Sequence, residues 1–319
     1  MKIKKTVSLV VVITLLLSLG LITSPAISAS VTIWHVPEDF TTIQEAIDSP
    51  DVLPGDVIIV GEGNHAGAYV TKSVTIRGAG GAVIDTGPMH PAGLSMGFRL
   101  LAGSDGAIIR NLTFQTDLSI MNGEAVDDVV VTQCTFLNSI QAISNLGGNG
   151  WEISHNEITG LRTRSGGGIG ILIADSSGGI NVANNLVIQN RISGTLHVWE
   201  DDCGGYEGSG IVIYADFRWG RLGATSMTGN QVLHNTVSLV SDNPSLVDVV
   251  AFELSQVWTV PPEPIPIVIH DNIIGFNDFR GTTLQIAVTP EELYDENTFA
   301  KNLGDNRGGG SATFHPMGH

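Results

Sequence analysis

Short runs in which apolar residues alternate with polar or small residues recur along most of the chain. In one of them Ile169, Ile171 and Ile173 are separated by single residues, and Gly168 and Asp175 bound the run. A period of two is typical of β-strands, whereas an amphipathic helix repeats every 3.6 residues. The pattern therefore predicts an all-β chain built from many short strands.

A six-residue phrase also returns along the chain as an internal repeat. In each copy an aliphatic stretch leads to an anchor residue, which is Asn or once Cys, and an apolar residue follows two positions later, or three in the first copy. The anchors are Asn111, Cys134, Asn156, Asn185, Asn235, Asn272 and Asn297. Their spacings of 23, 22, 29, 50, 37 and 25 residues indicate a period near 22 with insertions. We expect stacked coils of three short strands, each coil pairing with the next at ~4.8 Å.

The Asn anchors have a physical reason in such a stack. Asn tolerates the left-handed backbone region that a tight corner requires, and its amide can hydrogen-bond the same Asn one coil away. The repeat therefore predicts an asparagine ladder in which each anchor occupies a left-handed corner.

The start of the folded region predicts a helix that covers the end of the solenoid. Thr41 and Thr42 can cap it, with Gln44 or Glu45 three residues later, and Ile43, Ala46 and Ile47 share one helical face. Segments 56–60 and 73–78 follow as strands of the first coils.

This opening resembles that of secreted right-handed parallel β-helix proteins of the pectin lyase-like group. The likeness is carried by the segments 36–47, 54–60, 72–78 and 82–85. It implies a right-handed parallel β-helix solenoid with a short N-terminal capping helix over residues 30–305. A flexible tail is expected at 306–319.

The resemblance implies no single activity, because the group includes pectinesterases, pectate lyases and polygalacturonases. The segments typical of pectinesterases and pectate lyases are absent. The tripeptides at 115–117 and 201–203 are similar to polygalacturonase segments. They lie 84 residues, or about four coils, apart, whereas an inverting carboxylate pair must face each other across ~6.5–9.5 Å. We expect no cofactor and no metal, with Ca²⁺ as the exception if the protein is a lyase.

The first 29 residues have the pattern of a secretory signal peptide. Lys2, Lys4 and Lys5 precede the uncharged stretch 7–22, and small residues near Ser28 suit a leader peptidase. We expect a secreted or cell-envelope protein with no membrane span after cleavage. The net charge is −17, which argues against a nucleic-acid partner.

The two cysteines, Cys134 and Cys203, are predicted to be unpaired. The anchors place them about three coils, or ~14 Å, apart along the axis. A disulfide requires Cα atoms within ~7 Å of each other.

The irregular stretch between Asn185 and Asn235 is either two coils with one anchor lost or one coil with a long excursion. It concentrates aromatic, acidic and Arg side chains, a combination that suits a sugar, since rings pack on its C–H face while charged groups bond its hydroxyls. The predicted ligand-binding residues are Trp199, Tyr206, Glu207, Tyr214, Arg218, Trp219 and Arg221. Candidates for catalysis are Asp201, Asp202, Asp216 and Arg218. The alternative is that the rings pack this stretch onto the coil wall and the acids face water.

These features favour a secreted, monomeric protein that binds an extracellular or cell-surface polysaccharide or glycoconjugate without cleaving it. A polysaccharide lyase or inverting glycoside hydrolase is the enzymatic alternative. The third hypothesis is a structural module of the envelope or matrix.

Overall fold

The computed structural model describes residues 30–164, 168–175, 179–199, 208–218, 222–304 and 307–308. The predicted signal peptide lies outside these ranges, as does the end of the chain from residue 309. Within them the strands stack into three long sheets, and every pairing between the strands of these sheets is parallel. The chain is a parallel β-helix, which confirms the predicted fold class.

Sheet A forms one wall of the solenoid. Its ten strands are β1 Ile33–Val36, β2 Val57–Val60, β5 Thr75–Gly78, β8 Ile108–Arg110, β11 Val130–Thr132, β14 Glu152–Ser154, β18 Leu186–Ile188, β22 Gln231–Leu233, β25 Ile273–Gly275 and β27 Thr298–Ala300.

Sheet B follows sheet A in seven successive coils, from β2 to β22. Its seven strands are β3 Gly63–Ala66, β6 Ala82–Thr86, β9 Thr113–Phe114, β12 Thr135–Ser139, β15 Glu157–Arg162, β19 Arg191–His197 and β23 Thr236–Ser241.

Sheet C completes the coil. Its nine strands are β4 Ala68–Val70, β7 Met96–Leu100, β10 Leu118–Asn122, β13 Gln141–Leu146, β16 Ile169–Ala174, β20 Gly208–Asp216, β24 Val249–Val257, β26 Leu284–Thr289 and β28 Arg307–Gly308. A short separate pair consists of β17 Asn181–Ala183 and β21 Ser226–Thr228. Strand β28 lies two residues past the predicted end of the solenoid at 305.

The core is filled by columns of identical or similar side chains from successive coils. Ile76 and Ile109 are in register on sheet A, and both are fully buried. On sheets B and C, Phe114 stacks on Phe136 at 5.0 Å and meets Phe98 edge-on at 5.5 Å. Because side chains alternate between the two faces of a strand, the residues between these columns point outward.

The predicted capping helix is present as α1, Ile43–Asp48. The Thr42 hydroxyl accepts a hydrogen bond from the Glu45 backbone N–H at 3.1 Å, and the Glu45 carboxylate accepts one from the Thr41 N–H at 2.9 Å. Ile43, Ala46 and Ile47 are fully buried, as the helical face predicted. A second short helix, α2, spans Leu293–Glu296. In the described ranges no helix is long and apolar enough to cross a bilayer.

The asparagine repeat forms two ladders, which corrects the single ladder that the anchors predicted. The ladder that follows the strands of sheet A contains Asn156, Asn190, Asn235, Asn277 and Asn302. The ladder that precedes them contains Asn185, Asn230, Asn272 and Asn297. In both, the backbone N–H and the side-chain amide of one Asn donate to Oδ1 of the next. The two phrases look alike in sequence, so spacing alone merges them.

Most left-handed corners lie one residue before a ladder position rather than in the ladder. The prediction that the anchor Asn is left-handed is therefore wrong for Asn156, Asn185, Asn235, Asn272 and Asn297, and it is confirmed for Asn111. At the corner that follows each strand of sheet A from β8 to β27, the left-handed residue, with φ between 55° and 59°, is Asn111, Gln133, His155, Gln189, His234, Phe276 or Lys301. All seven are exposed. The following residue then points its side chain into the stack, where an Asn finds partners for its amide in the coils on either side.

The stretch between Asn185 and Asn235 is one coil with a long excursion. Strand β18 pairs directly with β22, and β19 pairs directly with β23, which leaves no room for a lost coil. Bonded Asn residues of the first ladder are 45 residues apart in sequence across this coil. They are 34 residues apart across the coil before it and 42 across the coil after it. The extra chain is therefore shared by three successive coils.

Sheet C is covered on both faces in this enlarged region. All nine residues of β20 and all nine of β24 are buried. One face carries core residues such as Ile211 and Phe252, and the other carries a second apolar cluster that includes Leu172, Val212 and Tyr214. Side chains on the outer face of β20 are thus withdrawn from bulk water.

Cys134 is a free and buried thiol at a ladder position, and burial raises its pKa to about 12. We expect Cys134 to resist alkylation in the native protein and to react fully after denaturation, because the thiolate is the reactive species. Cys203 lies outside the described residues, and its free state remains a prediction. Mass spectrometry after alkylation without reductant would test both thiols. A Cys134–Cys203 disulfide in that experiment would contradict the prediction.

Candidate functional site

The predicted site residues fall into three groups. Those outside the described residues are Asp201, Asp202, Tyr206, Glu207, Trp219 and Arg221. Trp199 lies just after β19 and is 52% exposed. Tyr214, Asp216 and Arg218 come together at the end of β20 and are buried. The described part of the excursion therefore separates an exposed ring from a buried polar cluster.

Trp199 lies at the edge where sheet B turns into sheet C. The Arg164 guanidinium carbon is 5.6 Å from the Trp199 ring centroid, within range of a cation–π contact. The Trp199 backbone N–H donates to the Thr163 hydroxyl at 2.8 Å, which fixes this segment to the preceding coil. The ring thus combines an exposed apolar face with an adjacent positive charge.

Polar and charged residues from three coils lie close to Trp199 in sequence or in strand register. Arg162 and His197 are register partners at the ends of β15 and β19. The Asp242 carboxylate accepts from the Val198 N–H at 2.8 Å and lies 3.0 Å from His197 Nδ1. These hydrogen bonds, with that from Val198 contributing most, hold the pKa of Asp242 below its usual value. We call Arg162, Arg164, His197, Trp199 and Asp242 the Trp199 surface.

Arg162 is itself positioned by the coils before it. It pairs with Asp117, and its Nε–H donates to the Asn138 carbonyl at 2.7 Å. Burial alone would raise the pKa of Asp117, but hydrogen bonds from the Ser95 backbone and hydroxyl, together with Arg162, hold it below its usual value. The Trp199 surface is therefore anchored on a charged row that runs along the solenoid axis.

The buried cluster is organised by Arg218. Its Nε–H and one of its terminal NH₂ groups donate to the two oxygens of Asp216 at 2.9 and 3.0 Å. The same NH₂ group also donates to the Tyr214 hydroxyl at 2.7 Å. The Asp216 backbone N–H donates to the Asp175 carboxylate at 3.1 Å. On the next coil the carboxylate of Glu253 accepts from Ser209 and Ser255.

The protonation states in this cluster follow from burial and charge. Burial, and then the charge of Asp216, raise the pKa of the Tyr214 phenol well above its usual range. Burial opposes the charge on Arg218, but its hydrogen bonds to Asp216 outweigh that effect and its pKa is raised. Tyr214 and Asp216 are 0% and 2% exposed. The geometry is that of a buried ion pair capped by a neutral phenol.

Phe217 is the other aromatic residue of the excursion that the structure describes. Its packing agrees with the alternative hypothesis that the rings of this stretch attach it to the coils. Its ring stacks on Trp258 with centroids 4.9 Å apart. This contact attaches the end of β20 to the residue that follows β24.

Sequence reasoning missed Arg162, Arg164, Asp242 and Glu253, because they belong to other coils than the excursion. A signal for them existed in the long anchor spacings of 29, 50 and 37 residues. Part of the extra chain of each enlarged coil lies after sheet B, at 163–168, 198–207 and 242–248, and part lies after sheet C. The tripeptide Asp-Phe-Arg occurs at both 216–218 and 278–280. This repetition indicates a local pairing of Asp with Arg, which sequence reasoning also overlooked.

Within the residues that the structure describes, no group of three or more His, Cys, Asp or Glu side chains is placed to hold a metal ion. Ca²⁺ stays a prediction for the lyase alternative.

No family model matches the chain. A cell surface glycoprotein of Methanothermus fervidus is 30% identical over 127 residues, which are 37% of this chain. The chain spans about a fifth of the length of this curated relative, with 18% covered.

Solved structures with a similar course of the chain include an alginate lyase from a Paenibacillus species. It is 15% identical, with 82% of this chain and 95% of that chain covered and a TM-score of 0.33. A second is the A-module of a mannuronan C-5 epimerase from Azotobacter vinelandii, which is 13% identical, with 84% and 95% covered and a TM-score of 0.30. The strand pairing described above, rather than these distant likenesses, defines the fold.

Proposed function

We propose that the protein binds an extracellular or cell-surface polysaccharide or glycoconjugate through the Trp199 surface. The observation that carries the proposal is the half-exposed Trp199 ring beside the Arg164 guanidinium. An exposed Trp face can pack on the C–H face of a sugar, and Arg, His and Asp side chains around it can bond the hydroxyl or carboxylate groups of that sugar. The enlarged coils fit this role, since insertions on solenoids often collect on a binding face.

The outside of the cell is the compartment that the proposal requires. The signal-peptide pattern at residues 1–29 favours export. The name of the Methanothermus fervidus relative, a cell surface glycoprotein, is consistent with that location.

Binding is favoured over cleavage by the state of the acidic groups. Asp216 already has both oxygens bonded by Arg218, and neither Asp216 nor Tyr214 faces bulk water. A general acid or base must reach the atom whose proton it transfers. The lyase or hydrolase alternative therefore depends on Asp201 and Asp202, which lie outside the described residues.

Replacing Trp199 by Ala is expected to weaken glycan binding by about 1–3 kcal/mol, because the stacking face and its cation–π neighbour are lost. A glycan array identifies the ligand, and calorimetry on the best hit gives the affinity. The melting temperature should change little, since half of the ring is exposed. Phe276→Ala is the matched control, because this ring is 47% exposed at the corner between sheets A and B.

Loss of binding in Trp199→Ala but not in Phe276→Ala would support the proposal. Equal affinities of wild type and Trp199→Ala would contradict it. Product analysis of every hit separates binding from cleavage, and an array without hits would favour the structural-module hypothesis.

A further inference from the structure

Two arginines stand side by side on the outer face of sheet A. Strands β5 and β8 pair in parallel with Arg77 opposite Arg110. The preceding residues, Ile76 and Ile109, are fully buried in the core, so the two Arg side chains project outward from the sheet. Neighbouring strands of a sheet are ~4.8 Å apart, which places the two guanidinium groups within reach of one small ligand.

Neither guanidinium has a carboxylate partner in the part of the chain that the structure describes. The Nε atoms of Arg77 and Arg110 are buried and make no hydrogen bond. By contrast, Arg162, Arg218 and Arg280 each pair with an Asp. Like charges directly opposite each other destabilise a sheet, and a buried donor without an acceptor adds a further cost. The pair is unexpected in a chain with 32 acidic and 15 basic residues.

The neighbours in the same row supply no countercharge. Ile59 precedes Arg77 on β2, and Thr132 follows Arg110 on β11. Ser154 follows Thr132 on β14, and its hydroxyl donates to Glu152, which lies two residues before it opposite Val130, outside the row. The row therefore has the apolar side chain of Ile59 at one end, the hydroxyl of Thr132 at the other, and the two guanidinium groups between them.

We propose that Arg77 and Arg110 form a binding site for a tetrahedral oxyanion, a sulfate or phosphate group. One guanidinium group that binds in bidentate fashion engages both oxygens of a carboxylate and uses about half of its acceptor sites. A sulfate or phosphate group offers at least three accessible oxygens, so two adjacent guanidinium groups can bind it with less sharing of the same oxygens. The site is on sheet A and does not involve the Trp199 surface, so it extends the proposed function with a second, independent point of anion recognition.

The test is calorimetry on the full protein at low ionic strength, with sodium sulfate, sodium phosphate and dextran sulfate as probes. Polygalacturonate, which carries only carboxylates, and uncharged dextran are the comparison ligands. The variants are Arg77→Gln and Arg110→Gln. Arg191→Gln is the matched control, because Arg191 is an exposed outward-facing Arg on sheet B.

Each site variant is expected to lose about tenfold or more in affinity for the oxyanion probes, and the control to lose none. Sulfate or phosphate should raise the melting temperature of the wild type but not of the site variants. Without anion, both variants should melt at or above the wild-type temperature, because the like-charge contact is relieved. Binding of the free ions supports a small-anion ligand, and binding of dextran sulfate alone supports an oxyanion carried on a glycan.

Three results would overturn the proposal. One is the absence of binding to all oxyanion probes. Another is an equal loss of affinity in Arg191→Gln, which would indicate general charge attraction. The third is tighter binding of polygalacturonate than of dextran sulfate. Because Trp199→Ala leaves sheet A unchanged, failure of the glycan-binding proposal would not affect these outcomes.

Discussion

Replacing Asn235 by Ala is expected to lower the free energy of unfolding by about 3–5 kcal/mol. Oδ1 of Asn235 accepts from both the backbone N–H and the side-chain amide of Asn190, at 2.9 and 3.0 Å. Its own amide donates to the carbonyls of Val187 and Leu233 and to Oδ1 of Asn277. Each buried polar group that loses its partner costs about 1–3 kcal/mol, and the substitution leaves several such groups without a partner at once.

Urea denaturation with two spectroscopic probes would measure the loss. Asn181→Ala is the control, because Asn181 is exposed on the short strand β17, outside both ladders. Asn235→Asp should be at least as destabilising as Asn235→Ala, since a buried carboxylate cannot donate to the carbonyls around it. If Asn235→Ala and Asn181→Ala unfold alike, the ladder does not stabilise the stack.

Arg218→Ala is expected to destabilise the protein by about 3–5 kcal/mol, because it removes the guanidinium group that donates to both oxygens of the buried Asp216 carboxylate. It also removes the donor to the Tyr214 hydroxyl. The result would identify Arg218 as a structural residue of sheet C rather than a ligand contact.

The chain contains its own matched control for this variant. Arg280 bonds Asp278 within the same Asp-Phe-Arg tripeptide and through the same three donors. This second pair is exposed, with side-chain exposures of 63% for Arg280 and 33% for Asp278. Arg280→Ala should therefore leave the unfolding curve nearly unchanged, as exposed ion pairs contribute little. Similar losses in both variants would show that burial is not the cause, and an unchanged curve for Arg218→Ala would contradict the prediction outright.

The coil architecture could be predicted because its signals are local. Alternation with a period of two predicts strands, and the Thr and Glu residues around Ile43 predict the capping helix, which the structure shows at Ile43–Asp48. The repeat of the Asn phrase predicts stacking, since a solenoid places the same residue type at the same corner in each coil. The strands and the helix depend on neighbours a few residues away, and the repeat is recognised by comparing short local phrases.

The assignment of each Asn to a ladder could not be read from spacing. Asn185 and Asn235 look equivalent in sequence, yet Asn185 bonds Asn230, and Asn235 bonds Asn190. Insertions of different length between coils break the count, so only the pairing of β18 with β22 fixes which residues are one coil apart.

The sequence by itself determined the fold class, the capping helix and the segment in which aromatic and charged residues concentrate. Only the tertiary structure decided which of those residues meet water. Trp199 and Tyr214 belong to the same aromatic-rich stretch, and the sequence does not distinguish them. Trp199 follows the end of sheet B and is exposed, whereas Tyr214 lies on the covered outer face of sheet C. Exposure depends on what covers a strand in neighbouring coils, and that is set by contacts between residues tens of positions apart, which no local pattern contains.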